Sequence, residues 1–288
     1  MTAENSTSNE LADRSIGAIL SGLRHLSADQ VERIVHLQRE QNLRFGEAAV
    51  RLGFVSNDDV LYALSQQYHF PYSPEESRTA SPELITQNHP FGPQAESFRA
   101  IRSQLMMRVF QESRERRALA VISPQAGDGK TYFAANLAVV LAQLGGRTLV
   151  VDADMRAGRL HDVFGVENRS GLSGILVGRT ESKVIRQANG IPNLFVLPSG
   201  NPPPNPLELV ERPAFGLLMK ELVGKFDHVV VDTPAAASGS DGAVIASRCG
   251  AALLLARKDQ SRVAELQDLL ASLQQTSVAF AGVVYNEF

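Results

Sequence analysis

The sequence holds a single cysteine, Cys249, and no tryptophan. One cysteine excludes an intramolecular disulfide and a Cys-rich zinc site. It also suits a reducing compartment, so a cytoplasmic protein is expected. Long hydrophobic runs are missing as well. The longest apolar stretches, such as 251–256 (AALLLA), are strand-sized, far below the roughly 18 residues of a spanning helix. The opening MTAENSTSNE has neither the basic start nor the apolar centre of a secretion signal. There is no excess of positive charge: Lys plus Arg is 28 against 31 Asp plus Glu, a net charge of −3. A globally basic nucleic-acid binder is therefore not expected, a local basic patch stays open, and no nucleic-acid partner is expected. What is present is ordinary globular material, 44% hydrophobic and 20% charged over 288 residues, enough for about two domains.

Residues 1–10 read as a disordered tail. From 11 to 70 a weak repeat runs through the chain: Ile16-Gly17 matches Phe45-Gly46, and Leu26-Ser27-Ala28-Asp29 matches Val55-Ser56-Asn57-Asp58. Each copy places a serine ahead of a helical pattern. Ser27-x-x-Gln30 is a capping box and Ser56-x-x-Asp59 a looser one. A small domain of two helix-turn-helix units is expected. Residues 71–95 carry five prolines and no periodicity, which predicts a semi-rigid linker. From 96 to 288 short apolar strands (118–122, 147–151, 194–197, 228–231, 251–256 and 280–284) alternate with helical stretches. That alternation predicts an α/β domain with a doubly wound, mostly parallel sheet covered on both faces.

The chemistry concentrates at 118–131, ALAVISPQAGDGKT. A strand runs into a glycine-containing loop, then Gly129-Lys130-Thr131, then a helix, the setting of a P-loop. Glycines turn backbone N–H groups toward phosphate and the helix N-terminus adds its positive end. Lys130, expected to be exposed in the loop, would reach the β- and γ-phosphates; Thr131 would ligate Mg²⁺. The strict pattern fails only at its first glycine, where Pro124 stands. Two further strands end in carboxylates, Asp152-Ala-Asp154 and Asp232-Thr-Pro, where doubly wound folds bind their ligands. Asp232 is the natural Mg²⁺ partner.

On these residues the chain resembles the bacterial tyrosine kinases of polysaccharide export. SPQAGDGKT looks like the family's Walker A, Asp152-x-Asp154-x-Arg156 like its Walker A′ and VVVDTP like its Walker B. The stretch from Gly200 to Leu209 resembles its proline-rich G-x-x-P-P-N-P-x-E-L segment. Glu96-x-x-Arg99-x-x-Arg102 matches its oligomerisation helix. The resemblance implies an ATP-dependent, Mg²⁺-requiring protein-tyrosine autokinase that regulates exopolysaccharide chain length. Lys130 and the loop from Gly127 through Asp128, Gly129 and Thr131 to Tyr132 would hold phosphates. Thr131, Asp154 and Asp232 would organise the metal, and Asp152 would be the base. Asn286 would contact adenine or else end its strand in a turn. Glu96, Arg99 and Arg102, on one flank of the Phe98–Ile101–Leu105 stripe, would face a neighbouring subunit of a homo-oligomer. Recruitment to the inner membrane by a separate chain-length-determinant protein follows in the same way.

The departures are Ala126, Gln125 and Tyr132, and tyrosines that number only five: 62, 68, 72, 132 and 285. No tyrosine-rich tail is expected, so acceptors are sought elsewhere. Tyr285 is expected to be buried in the sheet, and Tyr68 and Tyr72 to be the mobile candidates. The N-terminal domain resembles that of type II secretion and pilus ATPases through Arg44-Phe-Gly46 and Leu52-Gly53-Phe-Val. Structural docking and cyclic di-GMP binding are its two alternatives. For the whole chain, a non-kinase ATPase switch and a nucleotide-binding receptor without turnover stand beside the kinase.

Overall fold

The computed structural model describes residues 15–67, 81–111, 116–179 and 183–287. The chain divides into two compact units, Met1–Arg78 and Thr79–Phe288.

Among the described residues of the first unit four helices follow one another: α1 (Ile16–Arg24), α2 (Ala28–Gln41), α3 (Phe45–Arg51) and α4 (Asn57–Gln67). The serines of the repeat do what their spacing predicts. Ser27 Oγ accepts from Gln30 N at 3.2 Å while Gln30 Oε1 accepts from Ser27 N at 2.9 Å. Ser56 and Asp59 exchange the equivalent pair at 3.1 and 2.7 Å. The core is built from Ile19, Leu20, Ile34, Ala48, Ala49, Val55 and Ala63. Asp59 is buried beneath Arg24, whose Nε lies 2.9 Å from its Oδ1. Burial alone would raise this carboxyl's pKa, but bonds from Arg24 and Ser56 bring it below its ordinary value. The expected tail 1–10, Tyr68 and Tyr72 lie outside the described residues.

The linker expected over 71–95 is corrected in its described part. Residues 81–95 belong to the second unit, folding as α5 (Ile85–Asn88) and the first turn of α6 (Pro93–Arg108). Pro93 does not open the chain; it fills the first helical turn, where a missing N–H costs nothing. Leu84, Thr86 and Ala95 are buried. Thr86 N and Oγ1 both donate to Asn136 Oδ1, at 3.0 and 2.9 Å. Residues 71–80 lie outside the described residues.

The remainder of this unit alternates strand and helix: β1 (Ala118–Ile122), α7 (Lys130–Ala142), β2 (Thr148–Asp152), α8 (Leu160–Phe164), α9 (Leu172–Leu176), β3 (Arg186–Gln187), β4 (Leu194–Leu197), α10 (Pro206–Glu211), α11 (Pro213–Lys225), β5 (His228–Asp232), α12 (Asp241–Cys249), β6 (Gly250–Arg257), α13 (Val263–Gln274) and β7 (Ala279–Asn286). The sheet order is β3-β4-β2-β5-β1-β6-β7. Every pairing is parallel except the two-residue edge β3, which runs antiparallel to β4. The period of two in β1 sorts its side chains between layers. Leu119 and Val121 join one core with Phe98, Leu105 and α7, while Ala118, Ala120 and Ile122 join the other with Phe215 and Ile245. This is the expected doubly wound sheet; only β3 went unforeseen, being too short to carry a pattern. Among the described residues no helix is long and apolar enough to cross a membrane.

Candidate functional site

The loop between β1 and α7 bends through Gly127 (φ 83°) and Gly129 (φ 96°), left-handed positions that glycine adopts without a Cβ clash. The loop closes over its own lysine. Lys130 Nζ donates to Ser123 Oγ at 3.0 Å and to the Gln125 carbonyl at 3.3 Å. Lys130 is therefore 7% exposed, not the exposed side chain expected of it. Burial lowers its pKa, against the opposing pull of Asp232, Asp128 and Asp154.

Asp128 holds the loop's shape. Its Oδ2 accepts from Gln125 N at 2.8 Å and its Oδ1 from Ser261 Oγ at 3.3 Å. Asn286 donates from Nδ2 to the Asp128 carbonyl at 3.0 Å, which ties β7 to the loop. Arg257, at the end of β6, donates to the Gly127 carbonyl at 2.9 Å. Neither Arg257 nor Ser261 had been singled out. The strand-end rule applied to Asp152 and Asp232 would have found Arg257.

The carboxylates divide. β2 and β5 are in register, with Asp152 opposite Asp232, and both are fully buried. Thr131 Oγ1 donates to Asp232 Oδ2 at 2.6 Å, and Leu160 N donates to Asp152 Oδ2 at 3.1 Å. The second oxygen of each carboxylate, Asp152 Oδ1 and Asp232 Oδ1, has no hydrogen-bond partner among the described residues. Burial, and then the charge of Asp232, pushes the Asp152 pKa well above its ordinary value. Burial likewise raises that of Asp232, against the Thr131 bond and Lys130. Gly158 closes over Asp152 so tightly that a Cβ there would stand 2.6 Å from its Oδ1. Asp154 is placed differently. Its Oδ1 accepts from Arg156 N and Ala157 N at 3.1 and 2.9 Å, and it lines the cavity. Two unpartnered, buried carboxylate oxygens beside a threonine hydroxyl are a donor set for a hard divalent cation.

The cavity holds about 500 Å³, and its lining includes Gly127, Gly129, Lys130, Thr131 and Tyr132 of the loop and Glu83, Asp154, Arg156 and Arg159. Tyr132 is half-buried, edge-on to Phe98 at 6.2 Å. Asp152, Asp232 and Asn286 are not among its lining residues.

The expected oligomerisation trio is not collected on a free flank. Phe98 and Leu105 are buried as predicted. Arg99 bonds Glu96 at 2.6 Å and also the Pro90 carbonyl. Arg102 donates to the Val140 carbonyl at 2.7 Å. Both arginines thus stitch α6 to its own unit, while Glu96 is 71% exposed in its side chain. Tyr285, expected inside the sheet, is 57% exposed. Its strand is an edge, paired to β6 alone.

Topology and loop together define the class, a P-loop nucleotide-binding domain. Residues 119–288 match the CobQ/CobB/MinD/ParA nucleotide binding domain, and the chain belongs to that family. Within it the chain is homologous to bacterial tyrosine-protein kinases. It is 34% identical over 203 residues to the putative tyrosine-protein kinase EpsB of Ralstonia nicotianae, covering 70% of this chain and 27% of that protein. It is 32% identical over 209 residues to the putative tyrosine-protein kinase CapB of Staphylococcus aureus, covering 73% of this chain and 90% of CapB. The solved kinase domain of Escherichia coli tyrosine kinase ETK superposes with a TM-score of 0.68 at 33% identity, over 75% of this chain and 84% of that domain. The chain thus spans about a quarter of EpsB but nearly all of CapB.

Proposed function

We propose that the chain is an ATP-dependent protein-tyrosine kinase of an exopolysaccharide assembly system. The observation that carries this reading is the buried Asp152–Asp232 pair, each with one unpartnered oxygen, beside Thr131 and a phosphate loop closed over Lys130. The kinship with EpsB, CapB and ETK supplies the reaction class.

Lys130 Nζ turns from Ser123 and Gln125 to the β- and γ-phosphates of ATP, trading two neutral acceptors for anionic ones. The N–H groups from Gly127 to Tyr132 cradle the same oxygens. Thr131, Asp232 and Asp152 would hold Mg²⁺, which would supply neutralising charge for the transferring phosphoryl group. The roles expected for Asp152 and Asp154 exchange. Asp152 is sealed beneath Leu160 N and Gly158, whereas Asp154 stands in the cavity wall where an acceptor hydroxyl enters. Asp154 is therefore the base that takes the tyrosine proton. Asn286 braces the loop from behind.

Partners extend the proposal. A separate chain-length-determinant protein of the inner membrane recruits and activates the kinase, and Glu96, with its exposed side chain, reaches a second copy. The N-terminal unit docks to a partner or binds cyclic di-GMP. Calorimetric titration with that dinucleotide separates these two.

An ATPase switch without phosphotyrosine is favoured by one observation. Tyr62 and Tyr132 are only partly accessible, which leaves Tyr285 as the one well-exposed acceptor among the described residues. One incubation with Mg-ATP, following phosphotyrosine and released phosphate together, decides. Phosphotyrosine that vanishes in Lys130→Ala supports the kinase. Phosphate release alone transfers the case to the switch, and neither product leaves a receptor.

A further inference from the structure

The cavity has a wall that the phosphate-loop motifs do not account for. Glu83 precedes α5 and lies outside residues 119–288, the part matched to the nucleotide-binding family. Arg159 stands just before α8. Both line the cavity, and they bond each other there. Arg159 Nη1 donates to Glu83 Oε1 at 2.9 Å and Nη2 to Oε2 at 2.5 Å, the forked geometry that a planar guanidinium and a carboxylate favour. The bond to Arg159 holds the Glu83 carboxyl below its ordinary range. The pKa of Arg159 is raised, chiefly by Glu83 and with a further contribution from Asp232.

Glu83 is not a loose surface residue. Its carbonyl accepts from Asn136 Nδ2 at 2.8 Å, and the neighbouring Thr86 bonds the same side chain at 2.9 Å. Thr86 and Asn136 are fully buried. Asn136 lies on α7, the helix that opens with Lys130, so the Glu83 main chain is anchored to the helix that carries the phosphate loop. The other arginine in the cavity wall, Arg156, is held by a different carboxylate. Its Nη2 bonds both oxygens of Asp241 at 3.2 Å, and Asp241 is 2% exposed.

We infer that Arg159 is a further phosphate-binding residue, contacting the terminal phosphoryl oxygens of a nucleoside triphosphate, and that Glu83 is the positioning residue that holds its guanidinium at the cavity mouth. The inference rests on reading this cavity as the nucleotide site. Glu83 engages two of the guanidinium's five N–H donors, and the others remain to meet phosphate. A lysine could not take this place, because a point charge on a flexible stem is not oriented by one carboxylate.

The test uses the full chain with Mg²⁺ and two fluorescent probes, an ADP and a non-hydrolysable ATP analogue. Arg159→Gln is expected to weaken the triphosphate about tenfold and to leave the diphosphate nearly unchanged. Glu83→Gln weakens the triphosphate less, and adds nothing once Arg159 is already glutamine. Both variants melt at the wild-type temperature. Equal loss of both nucleotides, a Glu83→Gln effect that persists in the Arg159→Gln background, or wild-type binding by both variants overturns the assignment. If Lys130→Ala abolishes binding while the Arg159 and Glu83 variants bind normally, only this inference fails. A wild-type chain that binds neither probe removes the cavity reading itself.

Discussion

The two units treat a buried aspartate in opposite ways. In the helical unit Asp59 is buried with its oxygens fully engaged, by the Arg24 guanidinium and by the backbone and hydroxyl of Ser56. In the nucleotide-binding unit Asp152 and Asp232 are buried side by side, each with an oxygen that accepts no hydrogen bond from any described residue. A satisfied buried carboxylate fixes a fold. An unsatisfied one costs stability, and a chain keeps such a cost where a ligand offsets it. The difference separates architecture from site without reference to any motif.

The largest expected effect breaks the site and spares the fold. Lys130→Ala should weaken nucleotide binding by roughly 1.5–3 kcal/mol, about ten- to a hundredfold, measured by fluorescence titration. The melting temperature should hold, because the lysine's burial already disfavours its charge. Next in size is the converse variant. Arg24→Ala removes the main partner of Asp59 and should destabilise the helical unit by about 1–2 kcal/mol, read by denaturant unfolding, with nucleotide affinity unchanged. A smaller loss, about 1 kcal/mol, is expected for Arg102→Ala, which leaves the Val140 carbonyl without its donor. Because of the bond to Val140, any use of Arg102→Ala to test assembly by light scattering must be paired with a melting curve.

The pH dependence sharpens the contrast through its sign. The Asp59 pKa is lowered in the fold, so its contribution is present at neutral pH and is lost as pH falls through the lowered value. Those of Asp152 and Asp232 are raised. Their contribution is present in acid and is lost as pH rises through the raised values. Without nucleotide, the nucleotide-binding unit should therefore lose stability from mildly acidic to mildly alkaline buffer while the helical unit holds, and the helical unit should lose its Asp59 contribution only in acid below the ordinary carboxylate range, which differential scanning calorimetry can follow.

Much of this was legible in the sequence. The parallel strands announced themselves as short apolar runs, and the phosphate loop as a strand, glycines and GKT. Ser27 and Ser56 marked their helix starts because capping is a local interaction between residues three apart. What stayed hidden is non-local. Asn136 reaching back to Thr86 turned a proline-rich stretch into part of a wall. Arg99 and Arg102 have the spacing of a free flank, yet their carbonyl partners, Pro90 and Val140, carry no side-chain signal. Which of Asp152 and Asp154 faces the cavity depends on a turn closed by Arg156 N and Ala157 N, and two aspartates two residues apart do not reveal it. Lys130 looked exposed because loop residues usually are, and the loop's closure over its own side chain depends on Ser123 and the Gln125 carbonyl.

The most direct test is the melting temperature of Asp232→Asn at mildly alkaline pH, with and without Mg²⁺ and nucleotide. Removing one charge from the unsatisfied pair should raise the melting temperature of the nucleotide-free chain, by about 1–3 kcal/mol of stability. It should also abolish the Mg²⁺-dependent stabilisation by nucleotide that the wild type gains. A variant that melts lower than wild type, or that keeps the full Mg²⁺-dependent gain, would contradict the reading of Asp152 and Asp232 as a site held open for a cation and a phosphate.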